Sequence, residues 1–260
     1  QFGRIATLSS VPMARRKSLA FLDVGQGDCF VADTKSGAII FDGGSSSEDQ
    51  VGRYRILPYM KYLGYQKIQI AVISHMDIDH YSGIKELLEM GKIKYLGLPE
   101  IPKDETMKKI IGIAKKRGTT IFYLSRGRQI TTKDGSLKVL HPQKNSQMEK
   151  NAASLVMQGK ILGYRVLLTG DVEKEGEEEL LSEELERADI LKAAHHGSKN
   201  STSNEFLQKV QPKQTVISCG KQNRYGHPHL ETIHRLQTYR TKIYRTDRSG
   251  AIIFFKRRDG

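Results

Sequence analysis

The sequence predicts a mixed α/β protein in which two β-sheets pack face to face with helices on their outer sides. Strand and helix signals alternate from one end of the chain to the other. The two halves repeat this style, and strands on both sides of helices suit a pair of helix-covered sheets. A length of 260 residues fits one large domain or two small ones, and with no linker, low-complexity tract or fixed-period repeat one domain is the better count.

Short apolar runs at Ser18 to Val24, Cys29 to Ala32 and Ala38 to Phe41 are separated by Gly25-Gln26-Gly27 and Gly43-Gly44. They read as consecutive antiparallel strands. Arg55 to Leu63 is helical in pattern, with Leu57, Met60 and Leu63 on one face. A strand from Gln69 to Ile73, a helix from Ile84 to Met90, a strand from Lys94 to Leu98, an amphipathic helix from Asp104 to Arg117 and a strand from Thr120 to Leu124 follow. The second half gives strands at Leu137 to Leu140, Leu155 to Gln158 and Val166 to Thr169, then an acidic helix from about Glu173 to Leu185. Strand Asp189 to Ala194, helix Ser203 to Val210, strand Thr215 to Ser218, helix His229 to Tyr239, and strands Lys242 to Thr246 and Ala251 to Phe255 complete the chain.

The most informative stretch is Ser74-His75-Met76-Asp77-Ile78-Asp79-His80, directly after the apolar Ile70 to Ile73. Two imidazoles and two carboxylates at alternating spacing, carried on a strand-end loop, form a donor set for a hard or borderline metal ion. Further donors follow other strand signals: Gly170-Asp171, His195-His196-Gly197-Ser198 and Gly226-His227-Pro228-His229. Strand ends are where α/β sheets put their sites.

Net charge is +13, and ten acids against two bases from Asp171 to Asp189 leave +21 on the remainder. Such a surface favours a polyanionic partner bound with strong salt dependence. Two cysteines, Cys29 and Cys219, are too few for a thiolate zinc cluster; they are core thiols or one bridge. No run is long enough to span a bilayer and no signal peptide is visible. The first residue is Gln1, so the chain is expected to be a piece of something longer, with residues 1–17 a basic segment and 18–260 a single domain. Arg15-Arg16-Lys17 then reads as a flank to a membrane part or a solvated tail, and Lys256-Arg257-Arg258 as a solvated edge.

The order Asp42-Gly43-Gly44, His75-x-Asp77-x-Asp79-His80, Asp171, His195-His196-Gly197, Gly226-His227-Pro228 resembles the metallo-β-lactamase superfamily. Within it, Phe21 to Asp28, Asn151 to Val156, Leu167 to Asp171, Leu191 to Ser198 and Asn223 to Pro228 are similar to the soluble C-terminal domain of ComEC-type competence DNA-uptake channels. The resemblance runs from about Leu19 to the end. It implies an αβ/βα four-layer sandwich with two divalent ions, manganese or zinc, between the sheet edges. His75 and Asp77 would serve one ion, Asp79, His80 and His227 the other, and Asp171 would bridge. Asp42 would brace the metal loop, and His195 and His196 would face substrate or orient a ligand.

The sequence departs from the superfamily pattern at Asp77, where a histidine is usual, and this favours harder ions such as manganese. No histidine stands at the usual third position; Asn151 and Ser154 occupy that region, and His141 is a weaker candidate. Paired ions suit phosphodiester hydrolysis, with Asp79 aligning the attacking water and His196 stabilising charge or protonating the leaving oxygen. Lys192, Lys199, Lys221 and Arg224 are expected to form a basic rim for phosphates, and Tyr225 to stack a base.

The resemblance implies hydrolysis of the DNA strand that is not taken up. It also implies fusion to a membrane channel, placement on the outer side of the cytoplasmic membrane, and other competence proteins as partners. The alternatives are another phosphodiester, such as a phosphocholine ester of an envelope polymer, or a DNA-guiding module of weak activity. Asp171→Ala is expected to remove activity and to leave stability in excess chelator near that of the wild type.

Overall fold

The computed structural model describes residues 16–148, 151–183 and 185–256. The basic run at Arg15 and most of the 1–17 segment, like Arg257 and Arg258, lie outside the described residues, as does Glu184 of the acidic run.

Seven strands form the first sheet in the order β14-β1-β2-β3-β4-β5-β6, and seven form the second in the order β13-β12-β11-β10-β9-β8-β7. The strands of the first are β1 (Ser18–Phe21), β2 (Phe30–Thr34), β3 (Gly37–Phe41), β4 (Ile68–Val72), β5 (Ile93–Pro99), β6 (Thr120–Leu124) and β14 (Ile252–Phe255). Those of the second are β7 (Gln129–Thr132), β8 (Gly135–His141), β9 (Val156–Ile161), β10 (Tyr164–Leu168), β11 (Ile190–Lys192), β12 (Gln214–Ile217) and β13 (Lys242–Arg245). Strands β1 to β3 are antiparallel, with only Lys35 and Ser36 between β2 and β3, while β3 to β6 and β10 to β13 are parallel. The last strand leaves the second half and pairs antiparallel with β1, Ser18 opposite Phe255.

Three apolar clusters explain the layers. Strand side chains alternate between faces, so Leu19 and Phe21 of β1, Ile39 and Phe41 of β3, and Val166 and Leu168 of β10 meet between the sheets. Their neighbours Ala20, Ala38 and Ile40 face the helices of the first sheet, α1 (Leu57–Tyr62), α2 (Ile78–Glu89) and α3 (Glu105–Lys116). Leu167 and Leu191 face those of the second, α4 (Lys174–Leu181), α5 (Asn204–Val210) and α6 (Leu230–Thr238). The αβ/βα sandwich follows from strands that are apolar on both faces. A short α7 (Thr246–Ser249) precedes β14. Among the described residues no helix is long and apolar enough to cross a membrane. Cys29 and Cys219 are buried free thiols, the first of the two alternatives left by the sequence.

Two local differences matter for the site. The helix expected from Ile84 begins at Ile78, so Asp79 and His80 lie in its first turn rather than in a loop, with Asp77 at the N-cap. The segment before α1 opens as a π-helical turn, Gly52–Ile56, instead of starting at Arg55 as an α-helix. The glycines of Asp42-Gly43-Gly44 have a steric reason: a Cβ on Gly44 would meet the Ile78 carbonyl oxygen at 2.5 Å, so only glycine lets this loop lie against the start of α2.

Candidate metal centre

The ends of β3, β4, β10, β11 and β12 converge on one edge of the sandwich, and each delivers polar side chains there. Asp42 follows β3 in a left-handed conformation, φ +58°, that costs a non-glycine residue energy. Its fully buried carboxylate repays the strain by accepting the Ser74 N–H at 2.7 Å and meeting His80 Nδ1 at 3.0 Å. With Nδ1 donating to Asp42, His80 Nε2 is turned to the cleft, where Asp171 Oδ2 stands 3.2 Å away. His195 and His196 sit in a short turn after β11 with φ of +47° and +52°. His196 Nδ1 donates to the Ser218 carbonyl at 2.9 Å, which turns its Nε2 towards Asp79 Oδ2 at 3.3 Å and Asp171 Oδ2 at 3.4 Å.

His75 hangs beside them, its ring centroid 4.1 Å from that of His80, with Nδ1 3.0 Å from Ser74 Oγ and Nε2 3.5 Å from Asp77 Oδ2. His195 is partly open to solvent, with Nε2 3.7 Å from Asp171 Oδ2 and Nδ1 2.8 Å from Glu173 Oε1. His227 closes the group from the loop after β12: its ring lies 6.2 Å from that of His196 and 5.7 Å from that of Tyr225, near-parallel to both. Asn223 fixes that loop by bonding the His227 carbonyl at 2.6 Å and its N–H at 3.0 Å. Together Asp77, Asp79, Asp171, His195, His196, His227 and Tyr225 line a cleft of about 470 Å³.

Some expected residues fall elsewhere. Lys192 was expected on the basic rim but is only 4% exposed. Its ammonium donates to the Gly170 carbonyl at 2.9 Å, pairs closely with Asp28 and stands 3.5 Å from Asp171 Oδ1, so it is a cation beneath the cluster and not a phosphate contact. Burial of a lysine in a three-residue apolar strand requires such anionic partners. Lys199 and Lys221 are exposed, and Lys199 borders a separate depression with Lys174 and Arg235. Arg224 does reach the cleft mouth, where its guanidinium lies over the Tyr225 ring at 4.9 Å and bonds the phenol oxygen at 2.7 Å.

His141 is buried with Nε2 donating to the Ala152 carbonyl at 2.7 Å and Nδ1 turned to Glu179 at 3.3 Å, so neither ring nitrogen faces the cluster. Ser154 supports the centre indirectly by accepting the Asp171 N–H at 3.3 Å, and Asn151 supports Ser154 through a backbone turn. The sequence expects His196 to act on substrate; its burial and the bond from Nδ1 to the Ser218 carbonyl put it instead among the candidate ligands. Sequence reasoning left Asp28 without a role, although it stands in the cluster. The available signal was a lone acid immediately before an apolar strand, matched by a lone lysine inside another.

The donor set fits a divalent ion. Nε2 of His75, His80 and His196 and both oxygens of Asp28 are buried with no neutral hydrogen-bond partner among the described residues; what faces them is other charged or ionisable groups. Buried polar atoms are rarely left so. Asp28, His80, Asp171 and His196 each offer one donor atom within 4.8 Å of the others. Imidazole nitrogen with carboxylate oxygen suits zinc and manganese alike.

The same packing governs protonation in the metal-free protein. Burial disfavours a charged ring at His80 and His196, yet Asp171, with Asp42 for one and Asp28 for the other, outweighs it and raises both well above the ordinary histidine range. Burial likewise opposes ionisation of Asp28, but Lys192 and His196 prevail and bring its carboxyl down to about 2. Asp171 is lowered well below the usual range against burial by His80, His196 and Lys192. His227 is lowered to about 4 by burial and by its cationic neighbours, so its ring is neutral at physiological pH.

These shifts fix a sign. A histidine raised on folding stabilises fully below its unfolded value, about 6.5. That contribution is lost as pH rises through the folded value. The lowered carboxyls stabilise above about 4 and lose this only as pH falls through their folded values. His227, lowered on folding, acts the other way and costs stability as pH falls below about 6.5, so melting of the chelated protein is expected to be highest near pH 6 to 7 and to fall steadily towards pH 9. A melting temperature that stays flat or climbs across that alkaline range would contradict protonated His80 and His196.

Residues 22–221 match the model of the metallo-β-lactamase superfamily. The chain belongs to this superfamily. The metallo-β-lactamase chain is 37% identical to ComE operon protein 3 of Bacillus subtilis (strain 168) over 92% of its length, covering 33% of that protein. It is 30% identical to Competence protein ComA of Neisseria gonorrhoeae over 92% of its length, covering 32% of that protein. It thus spans about a third of the length of these two relatives, which are competence proteins of the ComEC type. Among solved structures it shares its fold with the metallo-β-lactamase fold protein YhfI of Bacillus subtilis, with TM-score 0.61 and 13% identity over 91% of this chain and 99% of that one. Human tRNase Z, short form, gives TM-score 0.54 and 13% identity over 93% and 100%.

Proposed function

We propose that this domain is a metal-dependent phosphodiesterase that hydrolyses DNA within a ComEC-type uptake protein. Residues 18–260 would form the hydrolase and the basic residues 1–17 an approach to it. In this reading the domain works on the outer side of the cytoplasmic membrane, beside a channel carried by the same parent chain and in company with other competence proteins. It degrades the strand that is not transported.

The observation that carries the reading is the buried group Asp28, His80, Asp171 and His196, each offering a donor atom within 4.8 Å of the others, beside an open cleft, on a chain of net charge +13. His75, Asp77, Asp79, His80, Asp171, His227, and now Asp28 and His196, are the residues that would hold one or two manganese or zinc ions. Such ions supply an activated water and charge neutralisation at the phosphoryl oxygens. Asp42 and the Ser218 carbonyl hold the tautomers of His80 and His196. Burial resists ionisation of Asp79, but its bond to His196 and the charge of His80 keep its carboxyl below the usual range. It is therefore an anion at neutral pH, placed to accept a proton at Oδ2 from a water in the cleft. His195, solvent-facing and oriented by Glu173, is better placed than His196 to give a proton to the leaving oxygen. Arg224 and Tyr225 at the cleft mouth would receive a phosphate and a base.

The test is to give the manganese- and zinc-loaded protein end-labelled single-stranded DNA, duplex DNA and a small chromogenic phosphodiester. Cleavage of DNA is expected. Turnover of the small diester alone would favour an envelope-type ester, and DNA binding without any turnover would favour a guiding module, a reading that Asn151 and Ser154 at the third-ligand region support. DNA affinity is expected to fall linearly on a double-logarithmic plot against salt, by about tenfold or more between 50 and 200 mM. A flat plot would remove the polyanion argument.

A further inference from the structure

One surface outside the cleft combines positive charge with exposed aromatic rings. From Gln50 to Met76 the chain has no acidic residue, while Arg53, Arg55, Lys61 and Lys67 give it +4, and it holds four of the 11 tyrosines. The π-helical turn presents Arg53, Tyr54 and Arg55 as three consecutive exposed residues, and α1 adds Pro58, Lys61 and Tyr62. Tyr54, Pro58 and Tyr62 are four apart, so they form one ridge about 12 Å long. The inward positions Ile56, Met60 and Leu63 are in the core, which leaves the ridge facing solvent. Tyr54 is 64% exposed and Tyr62 is 71% exposed, the latter stacked on Tyr59 at 6.0 Å and 29°. Rings of this size ordinarily bury most of their area.

The ridge also lies near the cleft. Gly52 packs against Gly83 of α2, the helix whose first turn carries Asp79. Arg55 pairs with Glu48 at 3.5 Å, two residues from Ser46, which lines the cleft itself.

We propose that this ridge is a binding track for single-stranded nucleic acid. Bases stack on Tyr54 and Tyr62 while Arg53, Arg55 and Lys61 neutralise phosphates, and the strand continues along the flank of α2 to the cleft. The inference rests on the reading of DNA as substrate and narrows it to an unpaired strand. In a duplex each base face is already covered by its neighbour 3.4 Å away, and only a single strand has faces to offer an exposed ring. The membrane surface is the other polyanion that basic, aromatic faces meet. Membrane-lying segments insert tryptophan, phenylalanine or leucine, whereas every exposed ring on this ridge carries a hydroxyl.

The test is fluorescence anisotropy of the 260-residue chain in chelator, so that nothing is cleaved, with a labelled single-stranded oligonucleotide, its duplex, and vesicles containing phosphatidylglycerol. Tyr54→Ala and Tyr62→Ala are each expected to weaken single-strand binding about tenfold and the phenylalanine variants hardly at all. Hydrolysis of a small chromogenic diester by the metal-loaded variants is expected to match the wild type, which separates this ridge from the cleft and also checks folding. Wild-type binding to the single strand that the alanine variants retain in full would overturn the track while leaving the DNA reading intact. Absence of any nucleic-acid binding by the wild type would overturn both. Vesicle binding that the alanine variants lose, with oligonucleotide binding unchanged, would assign the ridge to the membrane instead.

Discussion

Asp171→Ala is expected to lower metal-dependent hydrolysis by about a thousandfold or more, the scale at which removal of one essential electrostatic element is felt. It is also expected to melt below the wild type even in excess chelator. The second expectation departs from the one drawn from sequence, where Asp171 was only a bridge between ions and its loss in chelator mattered little. The structure gives the carboxylate a second task. With no metal bound it balances His80, His196 and Lys192, all within 3.5 Å of it and all buried. Breaking a buried charge cluster by removing one partner typically costs about 3–5 kcal/mol. In a chain of this size that is a fall of roughly 10 °C. Loss of a proton from each histidine will recover part of it, so the deficit should be largest at low pH and shrink towards pH 9. Elemental analysis with melting curves across pH checks both parts. Wild-type cleavage by the variant would sink the ligand role, and an unchanged chelated melting temperature would sink the balancing role.

Lys192→Met is expected to be the most damaging single change outside the candidate ligands. Its stem is packed among the strands of the second sheet, and its ammonium neutralises Asp28 and Asp171. Methionine fills a similar volume but leaves two buried carboxylates facing each other, at a cost of about 3–5 kcal/mol. Two consequences separate this from simple misfolding. A divalent ion should restore much of the lost melting temperature by binding only the folded state. The double variant Asp28→Asn with Lys192→Met should be more stable than the single one, because the pair is removed together. Lys199→Ala, on the exposed side of the same loop region, should change stability by less than about 0.5 kcal/mol. Equal effects of the two lysine substitutions would contradict the buried-cation account.

The contrast between these lysines marks what could be read from sequence. The short apolar runs of β1, β3 and β10 are a local signal, so strands and layers are legible, and the donors at strand ends fall into order along the chain. Lys192 was misread because the rule that lysines lie outside is statistical; only the partner, Asp28, 164 positions earlier, makes the exception affordable. The first turn of α2 was misread for a related reason. Its residues Asp79 and His80 look like loop, and helix start there is set by the approach of Gly44 to Ile78, a contact between distant segments. His141 carried the right chemistry, but the ring faces α4, and that direction depends on Glu179 and Ala152. β7 escaped notice because Gln129–Thr132 has a single large apolar side chain, and its identity as a strand comes from pairing with β8.

The pairing of Ser18 with Phe255 has a consequence for how the molecule comes into being. A ribosome delivers β1 to the cell more than two hundred residues before the strand that covers its flank. During that interval the open ladder of β1 is available to any other extended chain. Closure waits for Ile252–Phe255, so a product terminated before them would keep the edge that carries the candidate metal ligands and yet be prone to coalesce with its siblings.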